Sequence, residues 1–196
     1  MPDSTPRQLV LKVHALLAQV AHADADLTTT ARTLAPQFGL KEEDATAAAD
    51  LASRARTIPE IAAAESADVV YRELPFAVPM GEGILATGRI DLAYRKAGEW
   101  TVIDFKTADL PDRAAAMEAH GAQLEVYSQA LGTITGAPVR AALCLLRSGS
   151  SWTWGRGRSR RVRPQAAQRQ LDRLEGLDVN GVGIAAHRDD RPGALP

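Results

Sequence analysis

Two aspartates within residues 88–106 have a spacing that could hold a metal ion. The segment reads GRIDLAYRKAGEWTVIDFK, which has the pattern of a β-hairpin with a plausible two-residue turn at Ala97-Gly98. A turn there places Asp91 directly opposite Asp104, and residues so placed have Cβ atoms about 4.5–5.5 Å apart. Because two carboxylates at that distance repel each other, the pair favours a bound divalent cation such as Mg²⁺, which carboxylates, water and phosphate oxygens coordinate.

A lysine completes the polar face of the predicted hairpin. Lys106 follows Asp104 by two residues, so strand alternation puts both side chains on one face, together with Trp100 and Val102. The residues alone leave two interpretations open: a partly covered catalytic site, or a solvated surface ion pair between Lys106 and Asp104. The opposite, apolar face is expected to enter a core through Ile90, Leu92, Ile103 and Phe105.

The hairpin is part of a longer ordered pattern of short strings. GRID, DFKT and QLEVY follow one another along the chain, preceded by LKVHALL and RELPF. This order resembles the PD-(D/E)XK nuclease superfamily, in particular its RecB-like branch. That branch occurs as the C-terminal nuclease domain of AddA/RecB-type helicase-nucleases and as free-standing exonucleases. The positions that match the pattern are His14, Glu73, Gly88, Asp91, Asp104, Lys106, Thr107, Gln123 and Tyr127.

The resemblance implies a fold, a reaction and a set of metal ligands. The implied fold is α/β: a restriction-endonuclease-like core with a mixed central β-sheet flanked by helices, preceded by an N-terminal helical segment. The implied reaction is metal-dependent cleavage of DNA, as an exonuclease in repair or recombination, with Mg²⁺ or Mn²⁺ as cofactor. The implied metal ligands are His14, Asp91, Asp104 and the backbone carbonyl of Phe105, with His22 as a weaker rival for the histidine position.

The resemblance also implies roles for the remaining site residues. Asp91, Asp104 and Lys106 are the expected catalytic residues. Lys106 would orient or deprotonate the attacking water and offset charge at phosphorus, and the sequence leaves open which role dominates. Gln123 and Tyr127, on a predicted helix, are implied to contact the DNA strand. His120 lies on the same helical stripe but is not carried over from the family.

Composition favours a single intracellular domain. The chain has 196 residues, enough to bury a core, and its formal net charge of −1 is no argument for nucleic acid. The single cysteine, Cys144, lies in the apolar run AALCLLR, so we expect a buried thiol and no iron–sulfur cluster. No apolar run has the length of a membrane helix, and the N-terminus lacks a signal peptide's apolar stretch. We therefore expect a cytoplasmic protein without a membrane partner.

Hydrophobic periodicity predicts a helical part over residues 6–57 and a sheet core over residues 68–154. The resemblance implies that both belong to one nuclease domain over residues 1–154. Asp112 is a candidate N-cap for the helix that follows the hairpin. The predicted helices cover 6–22, 28–38, 41–57 and 113–133, and the predicted strands cover 69–78, 84–94, 99–107, 139–146 and 152–154.

Residues 155–196 are predicted to form a basic and then flexible tail. Its first part, GRGRSRRVRPQ, could contact phosphates or could have no role, and residues 178–196 are expected to lack regular structure. The possible phosphate contacts are Arg156, Arg158, Arg160, Arg161 and Arg163.

Two rival functions stay open. The chain could be a catalytically silent DNA-binding module, or a domain that chiefly holds a helicase or recombination partner. It has no phosphate-binding glycine-rich loop, so a helicase motor would lie in another domain or subunit. The complete set of Asp91, Asp104 and Lys106 favours the enzyme, because DNA binding alone does not need a metal site.

Overall fold

The computed structural model describes residues 26–38, 41–81, 84–157 and 183–186. These residues form a mixed β-sheet with helices packed on both faces, as the sequence predicts. The helices are α1 (Leu27–Leu34, continued by a 3-10 turn over Ala35–Phe38), α2 (Glu42–Arg56), α3 (Pro59–Glu65) and α4 (Arg113–Thr135). The strands are β1 (Val69–Gly81), β2 (Ile84–Lys96), β3 (Glu99–Lys106), β4 (Val139–Leu145), β5 (Ser150–Gly157) and β6 (Gly183–Ala186).

Local signals account for both ends of α4. The Asp112 carboxylate accepts a hydrogen bond from the Ala115 N–H at 2.9 Å, which confirms the predicted N-cap of α4. Gly136 ends that helix in the left-handed conformation, with φ of 66°. Helix α3 was not predicted from the sequence, because it has only seven residues and its main signal is Pro59 at its start.

The sheet has the strand order β1-β2-β3-β4-β5, and β6 also pairs with β2. Strands β3 and β4 run parallel, and the other neighbours are antiparallel. One face packs against α1, α2 and α3 to form the first apolar layer, which contains the buried Cys144. The other face packs against α4 to form the second apolar layer. The carboxylate-bearing face of β3 is the one toward α4, because Trp100 and Val102 belong to the second layer.

The turn and the register of the β2–β3 hairpin are confirmed. Ala97 and Gly98 both have positive φ, 49° and 81°, as a type I′ turn requires. The ladder, however, runs only from Lys96–Glu99 to Leu92–Ile103. The ladder therefore stops one position before Asp91 and Asp104. The two aspartates lie just beyond its last pair and are not paired with each other in the ladder.

Beyond that point β2 changes its neighbours, which corrects two predictions. Ile90 is buried as expected, but it packs in the second layer and not with Leu92 in the first, because β2 has left β3 there. Residues 178–196 are not wholly irregular, since β6 pairs with Ile84–Thr87 of β2. Strand β1 occupies the other edge of β2, so β6 lies on the same edge as β3, farther along the strand.

Several predictions fall outside the described residues. They include the helix over 6–22 with His14 and His22, and most of the tail. None of the described helices is long and apolar enough to cross a membrane.

The first apolar layer should stabilise the folded protein mainly through fully buried side chains such as Ile103. Ile103→Ala removes buried methyl groups and leaves a cavity, so it should lower the free energy of unfolding by about 2–5 kcal/mol. Urea denaturation followed by circular dichroism measures the loss. Ile134→Ala makes the same chemical change at a side chain that is 56 % exposed, and it should change stability by less than about 0.5 kcal/mol. Equal losses in the two variants would contradict this assignment of the core.

Candidate active site

Asp91 lies where β2 parts from β3, and its side chain bridges the two strands. Its Oδ2 accepts a hydrogen bond of 2.7 Å from the backbone N–H of Phe105. A buried backbone donor must find a partner, and this carboxylate supplies the bond that the ladder no longer provides. The bond fixes the position of the Asp91 carboxylate beside β3.

The backbone of Phe105 turns toward the same place. In a strand, the N–H and C=O of one residue point the same way, and the next residue points to the opposite neighbour. The Lys106 carbonyl accepts from the Leu146 N–H at 2.8 Å, on the side of β4. Since the Phe105 N–H points to Asp91, its carbonyl is directed to that side as well, where the sequence analysis expected a metal ligand.

Asp104 and Lys106 form an ion pair that is shielded from water. Lys106 Nζ lies 3.0 Å from Oδ1 and 2.8 Å from Oδ2 of Asp104. Asp104 is 1 % exposed and Lys106 is 9 % exposed, so the solvated surface pair considered from sequence is excluded. Trp100 and Val102 are buried on the same face of β3. Because burying two charges is costly, such a pair is weak evidence for a stabilising role.

Glu73 is a third carboxylate near the end of the ladder. The β1–β2 pairs on either side of it, Arg72–Leu92 and Leu74–Ile90, place it opposite Asp91. Its φ of 52° is unusual for a residue other than glycine and costs on the order of 1–3 kcal/mol. Its side chain also lies 3.7 Å from the Arg89 guanidinium. In the sequence, Glu73 of RELPF matches the superfamily pattern, and no role was predicted for it.

Helix α4 presents a polar stripe to the site. Gln123 Nε2 donates to Tyr127 Oη at 2.9 Å, and both side chains are almost fully buried. The rings of Tyr127 and Phe76 pack edge to face, with centroids 5.8 Å apart and planes at 81°. His120 lies one turn before Gln123 and is partly buried. The stripe was visible as a spacing in the sequence, but its burial was not.

Electrostatic effects show that these groups share one neighbourhood. The pKa of Tyr127 is raised, first by burial and then by the charges of Asp104 and Asp91. The pKa of His120 is lowered to about 4, first by burial and then by the charge of Lys106. Burial therefore favours the protonated phenol of Tyr127 and the neutral imidazole of His120.

The donor set suits a hard divalent cation. Asp91, Asp104 and the Phe105 carbonyl offer oxygen ligands of the kind that Mg²⁺ and Mn²⁺ bind, with water and substrate oxygens completing the shell. Among the described residues, no three side chains of His, Cys, Asp or Glu are grouped so that they could hold a metal ion. His14, the fourth implied ligand, lies outside the described part of the chain.

The predicted phosphate contacts are largely beyond the described structure. The backbone of Arg156 belongs to β5. Arg158, Arg160, Arg161 and Arg163 fall outside the described residues, so their role stays a prediction.

Comparison with known families agrees with this site. The chain belongs to the PD-(D/E)XK nuclease superfamily, whose sequence profile matches residues 8–186. Membership implies a nuclease, a hydrolase with DNA as the substrate, and nucleases of this superfamily generally use divalent metals such as Mg²⁺. No curated protein matches the chain significantly. The superfamily predicted from sequence is thus confirmed, and the RecB-like branch stays a prediction.

The depressed pKa of His120 predicts a pH-dependent stability. An unfolded histidine titrates near 6.5, so the unfolded state binds more protons than the folded state between that value and about 4. The free energy of unfolding should therefore fall as the pH decreases through this window, by on the order of 1–3 kcal/mol from His120. Urea denaturation at pH 7 and pH 5 measures the fall, and it should be smaller in His120→Leu. An equally large fall in that variant would contradict the assignment.

Proposed function

We propose that this protein is a metal-dependent deoxyribonuclease of the RecB-like branch, acting as an exonuclease in DNA repair or recombination in the cytoplasm. The observation that carries the proposal is the buried Asp104–Lys106 pair beside Asp91, at the point where β2 leaves β3. An acidic pair with an adjacent ammonium group is what a site for phosphodiester hydrolysis requires: acids for a cation and a positive group for the phosphate.

Asp91, Asp104, the Phe105 carbonyl and His14 are the groups that would hold Mg²⁺ or Mn²⁺. When bound, the cation would act as a Lewis acid on the phosphodiester and would make water more acidic. The hydrogen bond from the Phe105 N–H holds Asp91 in place before the substrate arrives. Such preorganisation lowers the cost of assembling charge around the reacting phosphate.

Lys106 has two compatible tasks in the proposed reaction. Its ammonium group lies within 3.0 Å of both Asp104 oxygens. An ammonium group donates hydrogen bonds and is positively charged, so it can orient the attacking water and offset negative charge that develops on the phosphate oxygens. Gln123 and Tyr127 would complete the wall of the site toward the DNA strand.

The remaining assignments concern the surroundings of the site. We infer that a catalytic unit lies within residues 1–154 and that the basic segment from Arg156 to Arg163 adds contacts to DNA phosphates. A helicase domain or subunit would be the natural partner of a RecB-like nuclease. The rival is a catalytically silent DNA-binding or helicase-holding module with the same fold. A silent module would have no need of the buried charges of Asp104 and Lys106 on the face of the sheet toward α4.

Cleavage of labelled DNA tests the catalytic assignment. With Mg²⁺ or Mn²⁺ the protein should degrade linear single- or double-stranded DNA and leave closed circular DNA intact, as an exonuclease does. EDTA should abolish the reaction. Asp91→Asn, Asp104→Asn and Lys106→Ala should each lower the rate by at least about a hundredfold, because each removes a charge at the reacting phosphate.

Two controls separate lost chemistry from lost folding. Lys96→Ala removes an exposed lysine of the same hairpin and should cleave at the wild-type rate. The double variant Asp104→Asn/Lys106→Met removes both buried charges together, so neither is left unpaired, and it should stay folded but inactive. Retained cleavage in Lys106→Ala, with contaminating nuclease excluded, would overturn the catalytic assignment.

Calorimetry with Mn²⁺ distinguishes the enzyme from the silent module. The wild-type protein should bind the ion, and Asp91→Asn or Asp104→Asn should weaken binding at least tenfold by removing a charged oxygen ligand. Lys106→Met should not weaken Mn²⁺ binding, because the Lys106 ammonium group repels the metal cation. Asp68→Asn, at an exposed position, is the matched control. Failure of the wild-type protein to bind Mn²⁺ would favour the silent module.

A further inference from the structure

Two polar atoms of α4 are buried without a hydrogen-bond partner among the described residues. They are Nδ1 of His120 and Oε1 of Gln123. The Gln123 side chain is only 3 % exposed. A buried donor or acceptor without a partner costs about 1–3 kcal/mol, and native proteins contain few of them. Two on one helical stripe therefore call for a reason.

Both atoms lie beside the candidate active site. His120 is close enough to Lys106 for the ammonium charge to lower its pKa, and Gln123 donates through Nε2 to Tyr127. Because the amide nitrogen is engaged by Tyr127, the oxygen is the atom of Gln123 that lacks a partner. Tyr127 itself feels the charges of Asp104 and Asp91. The stripe thus places two unsatisfied atoms next to the catalytic charges.

The chemistry of these atoms selects the kind of group that fits them. An amide oxygen only accepts hydrogen bonds, and a neutral imidazole offers one acceptor and one N–H donor. A phosphodiester oxygen carries no hydrogen, so it would find no donor at Gln123 Oε1. A water molecule has two hydrogens and two lone pairs, and it can satisfy both side chains together.

We propose that His120 and Gln123 together hold the water molecule that attacks the phosphodiester, beside Lys106. The inference rests on the proposed function, since only a hydrolytic site needs such a water. In the overall reaction the water oxygen bonds to phosphorus, the bond from phosphorus to the leaving sugar oxygen breaks, and one water proton ends on that oxygen. His120 is then a catalytic residue that was not carried over from the family, and Gln123 has a defined role in addition to a contact with DNA.

The test measures cleavage kinetics of linear DNA for the wild-type protein, His120→Leu, Gln123→Leu and the double variant. Each single variant should lose about tenfold to a hundredfold in kcat. KM for DNA should stay unchanged in His120→Leu, because its lost contact is to water, whereas Gln123→Leu also loses the proposed contact to DNA. The double variant should lose little more than the worse single variant, since either change releases the same water. His120→Asn should recover part of the rate by keeping a polar group there.

Thermal unfolding supplies a readout that does not depend on activity. His120→Leu replaces a buried polar atom that has no partner among the described residues, so its Tm should equal or exceed that of the wild type. Gln123→Leu also loses the hydrogen bond from Nε2 to Tyr127, so the Tm test uses His120→Leu. Met117→Leu, at an exposed position of α4, should leave both kcat and Tm unchanged. A purely structural role of His120 would instead lower the Tm of His120→Leu in step with its rate and would overturn the inference.

The outcomes also separate this inference from the nuclease assignment. Additive losses in the double variant, a raised KM in place of a lowered kcat, or full activity in His120→Leu would each overturn the shared water site. If Asp104→Asn is inactive while any of those results is found, the nuclease assignment is still supported and only the shared water site is rejected. Wild-type cleavage rates in Asp104→Asn would overturn both.

Discussion

The site depends on β2 and β3 pairing for only part of their length. The ladder ends at Leu92–Ile103, and from there the Asp91 carboxylate, not a backbone carbonyl, accepts the Phe105 N–H. A continued ladder would use the Phe105 N–H and C=O for pairing with β2. The early end of the ladder therefore does two things at once: it positions one acid and directs a main-chain oxygen toward it.

The rest of the fold offsets the energetic cost of placing these charged groups together. Strand β3 is buried between two apolar layers and pairs with β4 in parallel, which holds Asp104 and Lys106 away from water. In that environment the attraction between the two charges is stronger than at a surface, and so is the cost of removing either partner. The left-handed backbone of Glu73, opposite Asp91, is a further local cost at the same point of the sheet. Several unfavourable terms at one place are typical of a functional site, where stability is lost because charged groups are fixed in position for the reaction.

Short-range patterns were sufficient to predict the hairpin. Alternation and the Ala97-Gly98 turn predicted the register, since a two-residue turn leaves no freedom in the pairing that follows it. The same patterns do not show where pairing stops, nor that β6, from residues far along the chain, pairs with Ile84–Thr87 on the same edge of β2. The layer predicted for Ile90 was wrong as well, because strand alternation was extended past the end of the β2–β3 ladder.

The stripe on α4 shows a different limit of sequence reasoning. The spacing of His120, Gln123 and Tyr127 predicts that they share one side of a helix, but a polar stripe is ordinarily the side toward solvent. Here part of that stripe is buried, because it packs over a sheet face that carries charge. Apolar side chains there would leave Asp104 and Lys106 with few polar neighbours, whereas a neutral imidazole, an amide and a phenol add hydrogen-bonding groups without adding charge. Polarity on α4 and charge on β3 are therefore two parts of one requirement, and only the packing of the helix on the sheet reveals that they meet.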